Sequence, residues 1–127
     1  MKITHFGGTE ECNSISELNT ILNKRFGNNA NEFWISNGEK VPCLGVMVKD
    51  NYAYIQYFPD ENSAGFVGLI NDNGLPLEET MIFYTNIITE EIDIFNEMVV
   101  PFSKAEEAII EFYNNFKLSE CLKWNEL

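Results

Sequence analysis

Residues 99–116 read VVPFSKAEEAIIEFYNNF, and a change of period inside this stretch decides the fold class. Before Pro101, from residue 32 on, apolar side chains recur at every second position. After it, Ala105, Ala108, Ile109, Phe112 and Phe116 recur at steps of three and four. A period of two buries one face of a strand, and a period near 3.6 buries one stripe of a helix. Pro101 breaks the sheet because its nitrogen has no proton to give a ladder. Ser103-Lys-Ala-Glu106 has the form of a capping box. The spacing predicts a helix over 103–117.

Upstream, the strand signals come in series. Glu32–Ile35 is closed by the hairpin-type turn Asn37-Gly38. Leu44, Val46 and Val48 alternate with Gly45, Met47 and Lys49. Asp50-Asn51 then turns the chain into the aromatic run Tyr52–Phe58. Phe66–Ile70, Thr80–Thr85 and Glu91–Val100 complete an antiparallel meander with polar turns between. A second helix is expected earlier, over 14–26. Ser14-Ile-Ser-Glu17 is another capping box, Ile15, Leu18, Ile21, Leu22 and Phe26 form its stripe, and Lys24 and Arg25 suit the negative end of its dipole. Residues 1–6 read as a short edge strand anchored by Ile3 and Phe6 and ended by Gly7-Gly8. The tail with Cys121, Leu122 and Trp124 reads as packing back on the sheet. The expected architecture is α+β: one domain over 1–127, an antiparallel sheet of five or six strands, and two helices packed on one face. The other face is left to solvent or to a partner.

The chain of 127 residues is 45% hydrophobic and 13% aromatic, which suits a packed globule. Its 20 acidic and 8 basic side chains give a net charge of -12, which argues against nucleic acid or an anionic membrane as a direct partner. No signal-peptide pattern and no membrane-length apolar run is present, so a cytoplasmic location is expected. Cys12, Cys43 and Cys121 are odd in number and far apart, and read as small hydrophobes rather than as a disulfide or zinc framework.

Catalytic chemistry finds little foothold. His5 is the one histidine, read as a surface or strand-edge residue, so any Ser-His-Asp or Cys-His scheme would have to run through it. No HExxH, GxxxxGK[ST] or GxGxxG motif occurs. Carboxylate pairs are plentiful (Glu10-Glu11, Asp60-Glu61, Glu78-Glu79, Glu90-Glu91, Glu106-Glu107), but they fall in turns, strand ends and a helix start, where solvated acids are the default. A glycosidase-like pair would need a deep pocket. No catalytic, metal or cofactor residue is assigned.

What remains is surface chemistry. Tyr52, Tyr54 and Gln56 alternate with Ala53, Ile55 and Tyr57, and Asp93, Phe95 and Glu97 alternate with Ile92 and Ile94. With Ile92 and Ile94 turned to the helices, the open face carries Tyr52, Tyr54, Asp93, Phe95 and Glu97. The loop acids Asp60, Glu61, Glu78 and Glu79 form its rim. Aromatics ringed by carboxylates suit a basic protein partner. The competing reading is that Tyr54 and Phe95 fill a second small core. Trp34 and Trp124 read as core or tail-packing aromatics.

The C-terminal part carries a family resemblance. Ile92-Asp-Ile94, Val99-Val-Pro101, Ser103-Lys-Ala105-Glu-Glu-Ala108, Glu111-Phe112 and Cys121-Leu-Lys-Trp124 resemble the C-terminal half of the bacterial polymorphic-toxin immunity family Imm-one. There a strand with a proline exit leads into an Ala-containing helix ending around Glu-Phe, followed by a short tail with a Trp. The hairpin of Leu44–Val48 and Ala53–Tyr57 adds a weaker match. The family often has a Gly and a Pro between helix and Trp, where this chain has Phe116-Lys-Leu-Ser-Glu120. The resemblance implies a non-enzymatic immunity protein that binds and neutralises a cognate toxin domain, often a nuclease or deaminase, as a monomer or weak homodimer. The alternative is a general protein-interaction or regulatory domain without a toxin partner.

Overall fold

A computed structural model describes all 127 residues. The chain opens with a hairpin of β1 (Lys2–His5) and β2 (Gly8–Glu11), followed by helix α1 (Ile15–Leu22). Strands β3 (Ala30–Ser36), β4 (Cys43–Lys49), β5 (Tyr52–Phe58) and β6 (Phe66–Leu69) come next. A second hairpin, β7 (Thr80–Tyr84) and β8 (Glu91–Phe95), precedes the short β9 (Val100–Pro101), helix α2 (Phe102–Asn115) and the tail strand β10 (Lys123–Glu126). The main sheet runs β10-β6-β5-β4-β3-β1-β2, with β9 also paired to β5, and every pairing is antiparallel. The α+β class holds. The strand number does not: eight strands form the main sheet and two more pair separately, against the five or six expected.

The extra strands have physical reasons to escape notice. β2 is polar (Gly-Thr-Glu-Glu) because it is an outer edge strand, so it shows no apolar alternation. β1 ends before Gly7-Gly8 as expected, but Gly8, at φ 125°, leads straight into β2, so β1 is an inner strand rather than an edge. The buried pair on β1 is accordingly Ile3 and His5, with Phe6 only half-buried. Over 91–100 the strand pattern is broken by a turn of 3-10 helix at Asn96–Met98.

Both helices pack on one face of the sheet. Leu18, Ile21 and Leu22 of α1 and Ala105, Ala108, Ile109 and Phe112 of α2 share a core with Ile3, Phe33, Ile35, Leu44, Val46, Val48, Ala53 and Ile55. The first capping box forms as expected: Ser14 Oγ accepts from the Glu17 N–H at 3.1 Å, while Glu17 Oε2 reaches back to the Asn13 N–H at 2.8 Å. α1 ends at Leu22, four residues short of the expected stop. Arg25 still serves its end, with Nη1 donating to the Leu22 carbonyl at 2.7 Å and the guanidinium lying 4.8 Å from the Phe102 ring of α2. The second capping box is not used. Pro101 is the N-cap of α2, and Ser103 falls inside its first turn without a capping bond. The tail packs back as expected. β10 pairs with β6, with Trp124 opposite Gly68, where a Cβ would sit 2.8 Å from Leu122 Cδ1.

The second sheet face is not open along its length, and this corrects the expectation that it was left free. β7 lies against β3 and β4 and carries β8 with it as a third layer. Met47, Tyr54 and Val67 of the sheet and Phe83, Ile94 and Val99 above it form a second core. Polar bonds fix this layer. The buried Glu32 carboxylate accepts from Thr85 Oγ1 at 2.6 Å and from the Asn86 N–H at 2.9 Å. Asn73 Nδ2 donates to the carbonyls of Asn96 and Val99, both at 2.6 Å, and Asn96 Nδ2 donates to the Pro76 carbonyl at 2.8 Å.

Candidate docking surface

The second face offers two exposed regions beside the buried strip, and the sequence-derived residues divide among all three. Tyr54 is buried in the second core, and burial pushes its phenol above the ordinary value. Tyr52 is half-buried against the same core. The hairpin lies over this core, so the two tyrosines do not make the exposed aromatic patch expected of them. Neither Ile92 nor Ile94 faces the helices, against expectation: Ile94 is buried in the second core and Ile92 is exposed, because β8 belongs to the third layer.

The outward side of that layer holds the second group. Phe95 is 58% exposed, and Asp93, two residues earlier, shares its face of β8. Thr80 pairs with Phe95 and Ile82 with Asp93, so the exposed Ile82 adds an apolar side chain to this face. Glu79 is brought alongside by the bond from the Asn96 N–H to its carbonyl at 3.0 Å. Glu78 precedes it and Glu97 follows Asn96, both exposed. Asp93, Phe95, Glu97, Glu78 and Glu79 are all exposed, with Asp93 and Phe95 on one face of β8 and Glu79 joined to the end of that strand through Asn96.

Asp60 and Glu61 lie elsewhere, among the residues that line a groove of about 640 Å³ together with Lys2, Thr4 and Trp34. Its floor is Trp34 and Phe58, with ring centroids 5.9 Å apart and planes inclined by 35°. Sequence reasoning missed both. Trp34, expected in a core, is 42% exposed. The signal was present: Phe33 and Ile35 flank Trp34 and face the helices, so Trp34 must face the other way. Its neighbour across the ladder is Gly45, whose missing side chain leaves room for the indole. A Cβ there would stand 2.7 Å from Trp34 Cζ3.

Reactive groups elsewhere are committed to structure. His5 is buried rather than exposed, which corrects its sequence-based placement. It packs 6.0 Å from Phe26 and from Phe33. Its Nδ1 accepts from the Gly7 N–H at 3.0 Å, so Nε2 carries the proton given to Glu10 at 2.6 Å. That hydrogen bond, with a second from Lys24, holds the Glu10 carboxyl below its ordinary value. Cys12 is buried in the main core, and burial raises its thiol and that of Cys43 above the usual range, away from nucleophilic thiolate. No helix is long and apolar enough to cross a membrane.

No protein-family model matches the chain. It is similar to a double-stranded DNA deaminase immunity protein of Burkholderia cenocepacia (strain H111), 28% identical over 123 residues that cover 96% of each chain. That relative is an immunity protein, an inhibitor rather than an enzyme. The similarity agrees with the family resemblance at the level of toxin immunity and says nothing of Imm-one in particular.

Proposed function

We propose that this chain is an immunity protein of the Imm-one kind, a single domain over 1–127. It binds a deaminase toxin domain in the cytoplasm and neutralises it by stoichiometric contact rather than by catalysis. The observation that carries this reading is the end-to-end similarity to a deaminase immunity protein, which spans every layer of the fold. Physical chemistry supports it. A deaminase that acts on double-stranded DNA needs a cationic cleft for a polyanion, and a protein of net charge -12 is drawn to such a cleft. The hairpin patch of Phe95 with Asp93, Glu97, Glu78 and Glu79 supplies an aromatic anchor in an acidic rim, and the groove edged by Asp60 and Glu61 supplies a second. Tyr52 and Tyr54 support the patch from beneath, in the core on which the hairpin sits.

Co-expression with the toxin domain encoded beside this chain tests the reading. The expected result is restored growth and a one-to-one complex on a sizing column. Continued killing, with the two proteins eluting apart, overturns it.

A further inference from the structure

We infer that the Trp34–Phe58 groove is an arginine seat: it takes a guanidinium side chain projecting from a basic protein partner, stacked on the exposed face of the Trp34 indole and held at the rim by Asp60 and Glu61. The inference rests on the immunity reading in taking that partner to be the toxin domain.

Three features carry it. First, the indole is a built platform. Its six-membered ring lies close over Gly45 with Phe58 inclined beside it, and it leaves 42% of its surface open where a buried aromatic would leave almost none. A flat, accessible ring face attracts cations through its quadrupole, and guanidinium stacks on it better than ammonium does. Second, carboxylates able to accept guanidinium N–H groups share the groove with the ring. Glu39, Asp60 and Glu61 line the groove with it. Third, the cation now present there is weakly held. Lys40 Nζ is 3.7 Å from Glu61 Oε1 with both side chains largely in solvent (82% and 62% exposed), a pairing an incoming arginine can displace at little cost. Lys2 also lines the groove, so its local charge is only slightly negative. Long-range attraction then comes from the whole molecule at -12, while selection comes from ring and rim.

The test uses the full chain and an arginine hexapeptide as probe. In a nitrogen-labelled sample the indole N–H signal of Trp34 should shift and saturate, while that of Trp124, bonded to the Ser119 carbonyl at 2.8 Å, should stay. Trp34→Leu and the double variant Asp60→Asn/Glu61→Gln should each weaken peptide binding about fivefold. Glu107→Gln/Glu111→Gln, which removes the same charge from α2, should change it little. An unmoved Trp34 signal, equal weakening by the α2 variant, or a lysine hexapeptide bound as tightly would each overturn the proposal. So would a groove-dependent dimer in sedimentation, which would mark the face as covered by a second copy. Against the toxin domain, loss of protection in the groove variants supports the seat. Full protection by them overturns it and leaves the immunity reading standing. If the wild type itself fails to bind toxin, the immunity reading falls, and the peptide measurements still decide whether the groove takes arginine.

Discussion

Glu32 Oε2 accepts a hydrogen bond from Thr85 Oγ1 at 2.6 Å across fifty-three residues of sequence, and this buried contact ties the second hairpin to the main sheet. The same carboxylate takes the Asn86 N–H at 2.9 Å, so both its oxygens are used. Glu32→Gln places an amide N–H₂ where one of two donors must be met, and leaves a buried donor unpaired. The expected loss is about 1–3 kcal/mol. It should appear as a lower urea midpoint, with faster amide exchange concentrated in β7 and β8. Exchange rising uniformly through the main sheet would contradict this role.

Gly45→Ala tests the platform under Trp34 directly. The added Cβ would meet Cζ3 at 2.7 Å and Cη2 at 2.9 Å, so the ring must lift from the sheet. Overpacking of this kind costs about 1–3 kcal/mol. Tryptophan emission should shift to longer wavelength as the indole becomes more exposed. An unchanged spectrum would show that the ring does not rest on Gly45.

The acid limb of the stability curve depends in part on Glu10. Its carboxyl is held below the ordinary 4.5, chiefly by the hydrogen bond from His5 and next by that from Lys24. A depressed carboxyl contributes stability that is present above the unfolded value and is lost as pH falls through the folded one. Glu10→Gln should therefore narrow the gap in urea midpoint between neutral pH and pH below 4.5. A carbon-detected titration of Glu10 should give a midpoint below 4.5, and a midpoint at or above it would refute the assignment.

Phe95 and its neighbouring acids should separate kinetically. Phe95 is 58% exposed, so Phe95→Ser should alter stability by no more than about 0.5 kcal/mol. On the proposed function it should speed dissociation of the toxin complex. Asp93→Asn and Glu97→Gln should chiefly slow association and flatten its salt dependence. Stopped-flow traces at two ionic strengths distinguish these effects. Wild-type rates in all three variants would remove this patch from the interface.

Phe112→Ala marks the boundary between scaffold and surface. The ring is 1% exposed and meets Tyr57 and Phe116 edge-on. Its removal should cost about 3–5 kcal/mol in urea unfolding. Any loss of protection in cells should then follow the loss of folded protein, with affinity of the folded fraction unchanged.

Much of the fold was legible because local rules decide it. The helical stripe from Ala105 to Phe112, the alternation in β4 and β5 and the Ser14 cap each depend on neighbours within a few residues. The site was half legible. Asp93 and Phe95 share the outward face of β8 as their spacing indicates, the 3-10 turn takes Glu97 off that alternation, and Tyr54 alternates as correctly and is nonetheless buried.

The sequence by itself determined the class of each apolar segment, the side of each strand on which a residue falls, the acidic charge and the packing of the Trp124 tail. Only the tertiary structure decided which sheet a strand joins. A period of two records that one face is buried but not what buries it. Thus β7 and β8, which read as further strands of one meander, instead fold over Tyr54 through the Glu32–Thr85 bond. The same choice of partner left Trp34 in the open, since the hairpin covers one part of the face and Gly45 offers the indole a floor without a cover.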